Sequence, residues 1–175
     1  ITWGQREDVQ RVFKPKVESL EIDGAAAVIV EPDCGLDMHR LHERCRAAGV
    51  LVVFDECKSG GRYPEFTAAQ HHGVQPDLLV LSKCLANGWP LACVVGMADV
   101  MACLESGWRD RGPVYISGTY SGETASLAAA QATLRVWERD KVGERLATGG
   151  DLLRTCLDAR VRHGVTIGGP FYRLL

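Results

Sequence analysis

The chain contains no apolar stretch approaching the roughly 18 residues that a membrane-spanning helix requires, so no membrane association is expected. It has no run of like charge either: 20 basic side chains stand against 22 acidic ones, leaving a formal charge of −2. Phosphate binding needs a basic patch that can release counterions, so no nucleic-acid partner is expected. With 19 glycines and 7 prolines among 175 residues, the composition falls short of the low-complexity range. What remains is 46% hydrophobic, enough for one sizeable core at this length. The seven cysteines form an odd count, include no CxxC pair and sit mostly in apolar stretches. They read as reduced core residues, which predicts a cytoplasmic protein. Both ends are abrupt, ITWGQREDVQRVF and GGPFYRLL, and the expectation is a fragment of a longer polypeptide.

Four short, continuous, β-branched-rich runs stand out at residues 25–31, 50–55, 78–82 and 91–96, the pattern of strands buried on both faces. Between the first two, residues 36–48 place Met38, Leu41, Cys45 and Ala48 at spacings of three and four, with Asp37 set to cap the start and Gly49 to stop the end. Strand, helix and strand in this economy form a βαβ unit with parallel strands and a right-handed crossover. A glycine-bearing loop, KSGGRYP, and a short helix over 65–72 lead to the third strand. An Ala-rich helix is predicted over 124–138, and Val142, Leu146, Leu153, Cys156, Leu157 and Val161 mark another behind it, with Gly149-Gly150 as a candidate kink. Residues 165–175 look like the opening of a further strand. The fold class is α/β, a mostly parallel sheet flanked by helices.

Ligands of open parallel sheets bind beyond the carboxyl ends of the strands, which draws attention to the charges there. Asp55 ends LVVF and Lys83 follows LLVLS. Alone, Asp55 reads equally well as a turn or capping carboxylate, and Lys83 as a side chain that leaves its ammonium in water. As a pair they are more informative. A lysine amine is a Schiff-base nucleophile, and a carboxylate is the electronic partner of a pyridinium nitrogen in pyridoxal phosphate sites.

The surrounding words sharpen this. Glu31-Pro32-x-x-Gly35, Phe54-Asp55-Glu56 with Ser59-Gly60-x-Arg62, Pro76-Asp77 leading to Leu81-Ser82-Lys83, Ala86-Asn87-Gly88-x-Pro90-Leu91, Val95-Gly96 and Gly118-Thr119-Tyr120-Ser121-Gly122-Glu123 follow one another in a characteristic order. In that order and spacing the chain resembles the class III aminotransferases, most closely the glutamate-1-semialdehyde aminomutase-like branch, within fold type I of the pyridoxal phosphate enzymes. The resemblance implies that residues 1–160 belong to the cofactor-binding large domain and 161–175 open a small C-terminal domain. It implies pyridoxal 5'-phosphate as cofactor, with Asp55 on the ring nitrogen, Lys83 in the Schiff base, Cys57 against one ring face and Thr119 reaching the phosphate of a partner subunit's cofactor. Gly118 and the start of the following helix would favour that anion. It further implies a homodimer with a shared active site, acting on a small-molecule amino donor and a carbonyl acceptor. An aminomutase or racemase, or a truncated non-catalytic homologue, are the alternatives.

Departures from the family pattern are Gly61 in place of a common Phe, Glu123 in place of Asn, and Trp89 inside the Asn-Gly-x-Pro turn. Lys58 and Arg62 follow Asp55 and are candidates for a substrate carboxylate, or plain loop residues. His39 and His42 read as solvent-facing, His71 and His72 as partners of a helix C-terminus, and no GxGxxG or Walker glycine pattern is present.

Overall fold

The structure is a computed structural model and describes residues 17–104, 114 and 118–158. Helix α1 (Met38–Ala48) starts where Asp37 Oδ1 accepts from the Arg40 N–H at 3.0 Å and ends at Gly49, whose φ of 67° supplies the left-handed turn. It joins β1 (Ala27–Val30) to β2 (Leu51–Glu56), which pair in parallel with Ala27 opposite Leu51 and Val30 opposite Phe54. The chain then crosses through α2 (Ala68–His72) to β3 (Leu78–Leu81), parallel to β2 with Asp55 opposite Val80. β4 (Cys93–Gly96) closes the order β1-β2-β3-β4 and runs antiparallel to β3. The α/β class and the mostly parallel sheet are thus as expected; the reversal of β4 is an addition.

Side chains alternate across the sheet, so Val52, Phe54 and Glu56 share one face, and Val53 and Asp55 the other. On the first face Val52 and Phe54 pack with Met38, Leu41 and Cys45 of α1 and with Ala69 and Val74. The second carries Ile29, still 71% exposed, beside Val53. Arg44 of α1 also donates to the carbonyls of Val17 and Leu20, tying the short 3-10 turn Val17–Ser19 to the same core.

Helix α2 begins later than residue 65. Tyr63 and Phe66 form a tight bridge, with Phe66 at φ 78°, and Thr67 accepts from the Gln70 N–H at 3.1 Å, so regular turns start only at Ala68. After β4 come a short α3 (Ala98–Met101) and a 3-10 turn, then α4 (Thr124–Arg139) and α5 (Val142–Asp158). Gly149 and Gly150 lie within α5 without interrupting it. Ala130 of α4 packs on Leu81, Leu85 and Ala86 in a second core cluster. Residue 143 must be glycine, because a Cβ there would sit 2.3 Å from the Tyr63 carbonyl oxygen and 2.8 Å from Pro64 Cα. The strand expected over 165–175 lies outside the described residues.

Candidate active site

The site is built where β2 and β3 end. Asp55, half-buried, is the penultimate residue of β2, and its Oδ1 accepts from the Cys57 N–H at 3.0 Å. That bond turns the chain sharply into the loop. Glu56, the final strand residue, is fully buried and faces the opposite way, accepting from the Ala68 and Ala69 N–H groups at 2.6 and 2.8 Å. It anchors the first turn of α2 beneath the loop, while burial holds its carboxyl above the ordinary carboxylate range. The sequence offered one signal for this, an acidic residue ending an apolar strand, but none for its partner.

Lys83 leaves β3 two residues beyond Leu81 and opens the 3-10 turn Lys83–Leu85. Its backbone has φ 46°, a left-handed conformation that costs a non-glycine residue about 1 kcal/mol or more. The turn is held on three sides. Ser82 Oγ donates to the Leu91 carbonyl at 3.0 Å, Leu85 and Ala86 are buried against Ala130, and Cys84 Sγ donates to the Gly60 carbonyl. The last contact explains Gly61: at φ 74°, with a would-be Cβ only 2.5 Å from Cys84 Sγ, that position has no room for the Phe of the family pattern. Cys84 occupies the space instead, so the loop after Asp55 and the turn at Lys83 dock directly on each other.

Cys57 reports how the charges meet. Burial first, then the hydrogen bond and negative charge of Asp55, push its thiol up to about 11 from 9.0, while the ammonium of Lys83 pulls the other way. Asp55 and Lys83 therefore act on one thiol from adjacent strand ends. A cavity of about 530 Å³ opens beside Lys83, bounded also by Arg62, Asn87, Trp89, Pro90 and Leu91, and within the usual range for small-molecule sites. Lys83 itself is exposed, and neither Asp55 nor Cys57 lines this cavity.

Other candidates are placed elsewhere. Lys58 Nζ lies 3.6 Å from Glu31 Oε2 in an exposed ion pair. Thr119 is exposed in a turn closed by the Ser121 N–H on the Gly118 carbonyl at 3.0 Å, apart from the Lys83 cavity. At the start of α4 two of the N–H groups expected to be open are taken: Glu123 caps the helix, accepting from the Ala125 and Ser126 N–H groups at 3.0 and 2.6 Å. His71 lies 3.0 Å from Glu65 Oε2 at the end of α2, and Cys45 is wholly buried. Among the described residues no helix is long and apolar enough to cross a membrane.

A mainly parallel sheet flanked by helices, with Asp55 and Lys83 at the carboxyl ends of neighbouring strands, is an α/β architecture of the kind that binds ligands at that end. The sequence profile of class-III aminotransferases matches residues 5–164, and the chain belongs to that family. It is 37% identical over 158 residues to 5-aminovalerate aminotransferase of Pseudomonas putida, covering 81% of this chain and 35% of that protein. It is 38% identical over 140 residues to glutamate-1-semialdehyde 2,1-aminomutase of Pyrobaculum neutrophilum, covering 71% and 32%. Among solved structures, the ornithine aminotransferase of Toxoplasma gondii, crystallised with partial occupancy of pyridoxal phosphate at its active site, superposes with a TM-score of 0.71 at 31% identity, covering 83% of this chain and 36% of that one. The chain thus spans about a third of the length of the curated relatives it matches.

Proposed function

We propose that the chain forms most of the cofactor-binding part of a pyridoxal phosphate-dependent aminotransferase, moving an amino group between an amine or amino acid and a carbonyl compound. The observation that supports this reading is the placement of Asp55 and Lys83 at the carboxyl ends of the neighbouring parallel strands β2 and β3. The donor set suits the cofactor: an amine for its aldehyde, a carboxylate for its ring nitrogen, a compact thiol for its ring face. The cofactor supplies an electron sink for the substrate carbon from which a proton departs. The Lys83 amine would hold it through its aldehyde and would hold and move that proton; general acid–base work of this kind contributes roughly a hundredfold to ten-thousandfold. Asp55 would keep the ring nitrogen protonated, Cys57 would pack on the ring, and the Thr119 hydroxyl would serve the phosphate bound by a second subunit of a homodimer.

In this reading residues 1–160 belong to the large domain and 161–175 to the start of a smaller one, and the protein works in the cytoplasm. An aminomutase outcome on the same residues has comparable support in similarity, 38% identity against 37%. Incubation of the purified protein with pyridoxal phosphate should give a visible absorbance band that borohydride converts to a stable label on Lys83. Label on Lys58 or Lys141 instead would remove the assignment. Net amine transfer to an added oxo acid separates the transaminase from the mutase.

A further inference from the structure

We propose that His72 is an acid-sensitive latch: while its imidazole is neutral the loop from Gly60 to Phe66 stays shut against α2, and protonation releases that loop from the turn that carries Lys83. The Nε2 atom of His72 is buried and has no hydrogen-bond partner among the described residues. In a neutral ring this nitrogen can be a bare lone pair, whereas in the cation it must carry an N–H. A buried donor or charge left without a partner is costly, so the closed loop resists the proton.

The groups around His72 add to that resistance. The Tyr63 ring lies 6.1 Å from the His72 ring and 4.5 Å from that of His71, and its hydroxyl donates to Asp33 Oδ1 in the loop after β1. The His71 and His72 rings are 5.4 Å apart, and His71 is paired with Glu65 at 3.0 Å. Three titratable groups act on His72: His71 from its own helix, Asp33 from the loop after β1 and His39 from α1. Burial is the first cause that holds the imidazole below its ordinary 6.5 and the charge of His71 the second; Asp33 pulls upward and His39 pushes down again. An open loop restores the ordinary value. The closed form is therefore fully favoured above 6.5 and loses ground as pH falls below it, by at most about tenfold per pH unit for one proton. Glu56, which caps the start of the same helix, titrates with the opposite sign and cannot produce this loss. The loop leads straight to Lys83. The Gly61 N–H donates to the Phe66 carbonyl at 2.6 Å and the Phe66 N–H to the Tyr63 carbonyl at 3.0 Å, while the Gly60 carbonyl accepts from Cys84 Sγ, one residue past Lys83. Tyr63 leaving His72 thus withdraws one of the supports of the Lys83 turn.

The reporter is Cys84 in the purified protein, modified by a pyridyl disulfide that reacts with thiols at acid pH and followed peptide by peptide in the mass spectrometer. Its rate is taken relative to exposed Cys156, which removes the common dependence of thiolate on pH. Between about pH 7.5 and about pH 5.5 the ratio should rise roughly threefold to tenfold in the native protein. It should stay flat in His72→Phe, which keeps an aromatic ring and takes up no proton. Over the same interval, amide exchange corrected for its intrinsic pH dependence should lose protection at Gly61 and Phe66. The Leu51 N–H, bonded to the Ala26 carbonyl at the edge of the sheet, should keep its own. A flat native ratio, a rise that persists in His72→Phe, or an equal loss of protection at Leu51 overturns the proposal. If His72→Phe does not fold, proton NMR titration of His72 in the native protein decides: a midpoint at or above 6.5 refutes the latch, and a lower one with exchange lost at Gly61 and Phe66 upholds it. None of these readouts depends on bound cofactor, so the latch and the aminotransferase reading stand or fall separately.

Discussion

Asp55→Asn and Lys83→Met should move the Cys57 thiol in opposite directions. In the native protein that thiol is raised from 9.0 to about 11, so below pH 9 its reactive thiolate is about a hundredfold scarcer than that of an ordinary cysteine. Burial is the largest cause and survives both substitutions. Asparagine keeps an oxygen for the Cys57 N–H but removes the negative charge, so Asp55→Asn should return part of the hundredfold, speeding alkylation roughly threefold to tenfold at pH 8. Lys83→Met removes the one opposing cation and should slow alkylation further. The assay is the rate of iodoacetamide modification of the Cys57 peptide, followed by mass spectrometry, with exposed Cys156 as internal standard. Because access to the thiol is common to all three proteins, the ratios isolate charge. If both substitutions speed the reaction, or neither changes it, Asp55 and Lys83 do not converge and the site reading fails.

Gly61→Ala should destabilise the protein by about 2–4 kcal/mol, combining a left-handed backbone at φ 74° with overpacking against Cys84 Sγ. Cys84→Ala should recover the overpacking share in the double mutant, and strictly additive urea-denaturation energies would refute that contact. Burial raises the Glu56 carboxyl above its ordinary 4.5, so the stability it lends is full below that pH and drains away as pH rises through the higher folded value. Glu56→Gln should flatten this slope in urea midpoints measured from pH 4 to 8; an unaltered slope would place the titration elsewhere. Glu123→Ala should speed amide hydrogen exchange at Ala125 and Ser126, whose N–H groups it caps, and leave exchange in the middle of α4 unchanged.

Most of the framework was legible because it obeys local rules. The continuous apolar runs marked the strands, although burial on both faces holds for β2 and not for β1, which leaves Ile29 exposed, and Asp37 and Gly49 bracket α1 through short-range capping bonds. What stayed hidden depends on long-range partners. The reversal of β4 follows from its pairing with Leu78–Leu81, which no period within CVVG announces. The late start of α2 comes from the Tyr63–Phe66 bridge overriding a helical pattern. In the site, Asp55 and Lys83 were visible as charges ending apolar strands. The fit of Cys84 against Gly61 was not, nor was the bond from Trp137 to Gly61 across 76 residues of sequence. Glu123 shows the converse: against the family pattern it stands out as a departure from Asn, whereas elementary capping chemistry describes its role.

The clip from Ser82 Oγ to the Leu91 carbonyl joins the exit of one strand to the approach of its antiparallel neighbour. Lys83 is therefore rooted in a closed collar, with its main chain braced at both ends and from below by Ala130. Whatever travel its nitrogen makes while gripping and releasing a partner must come from rotation about four methylene bonds. The reach of the amine is set by the length of one side chain, and its anchorage stays still.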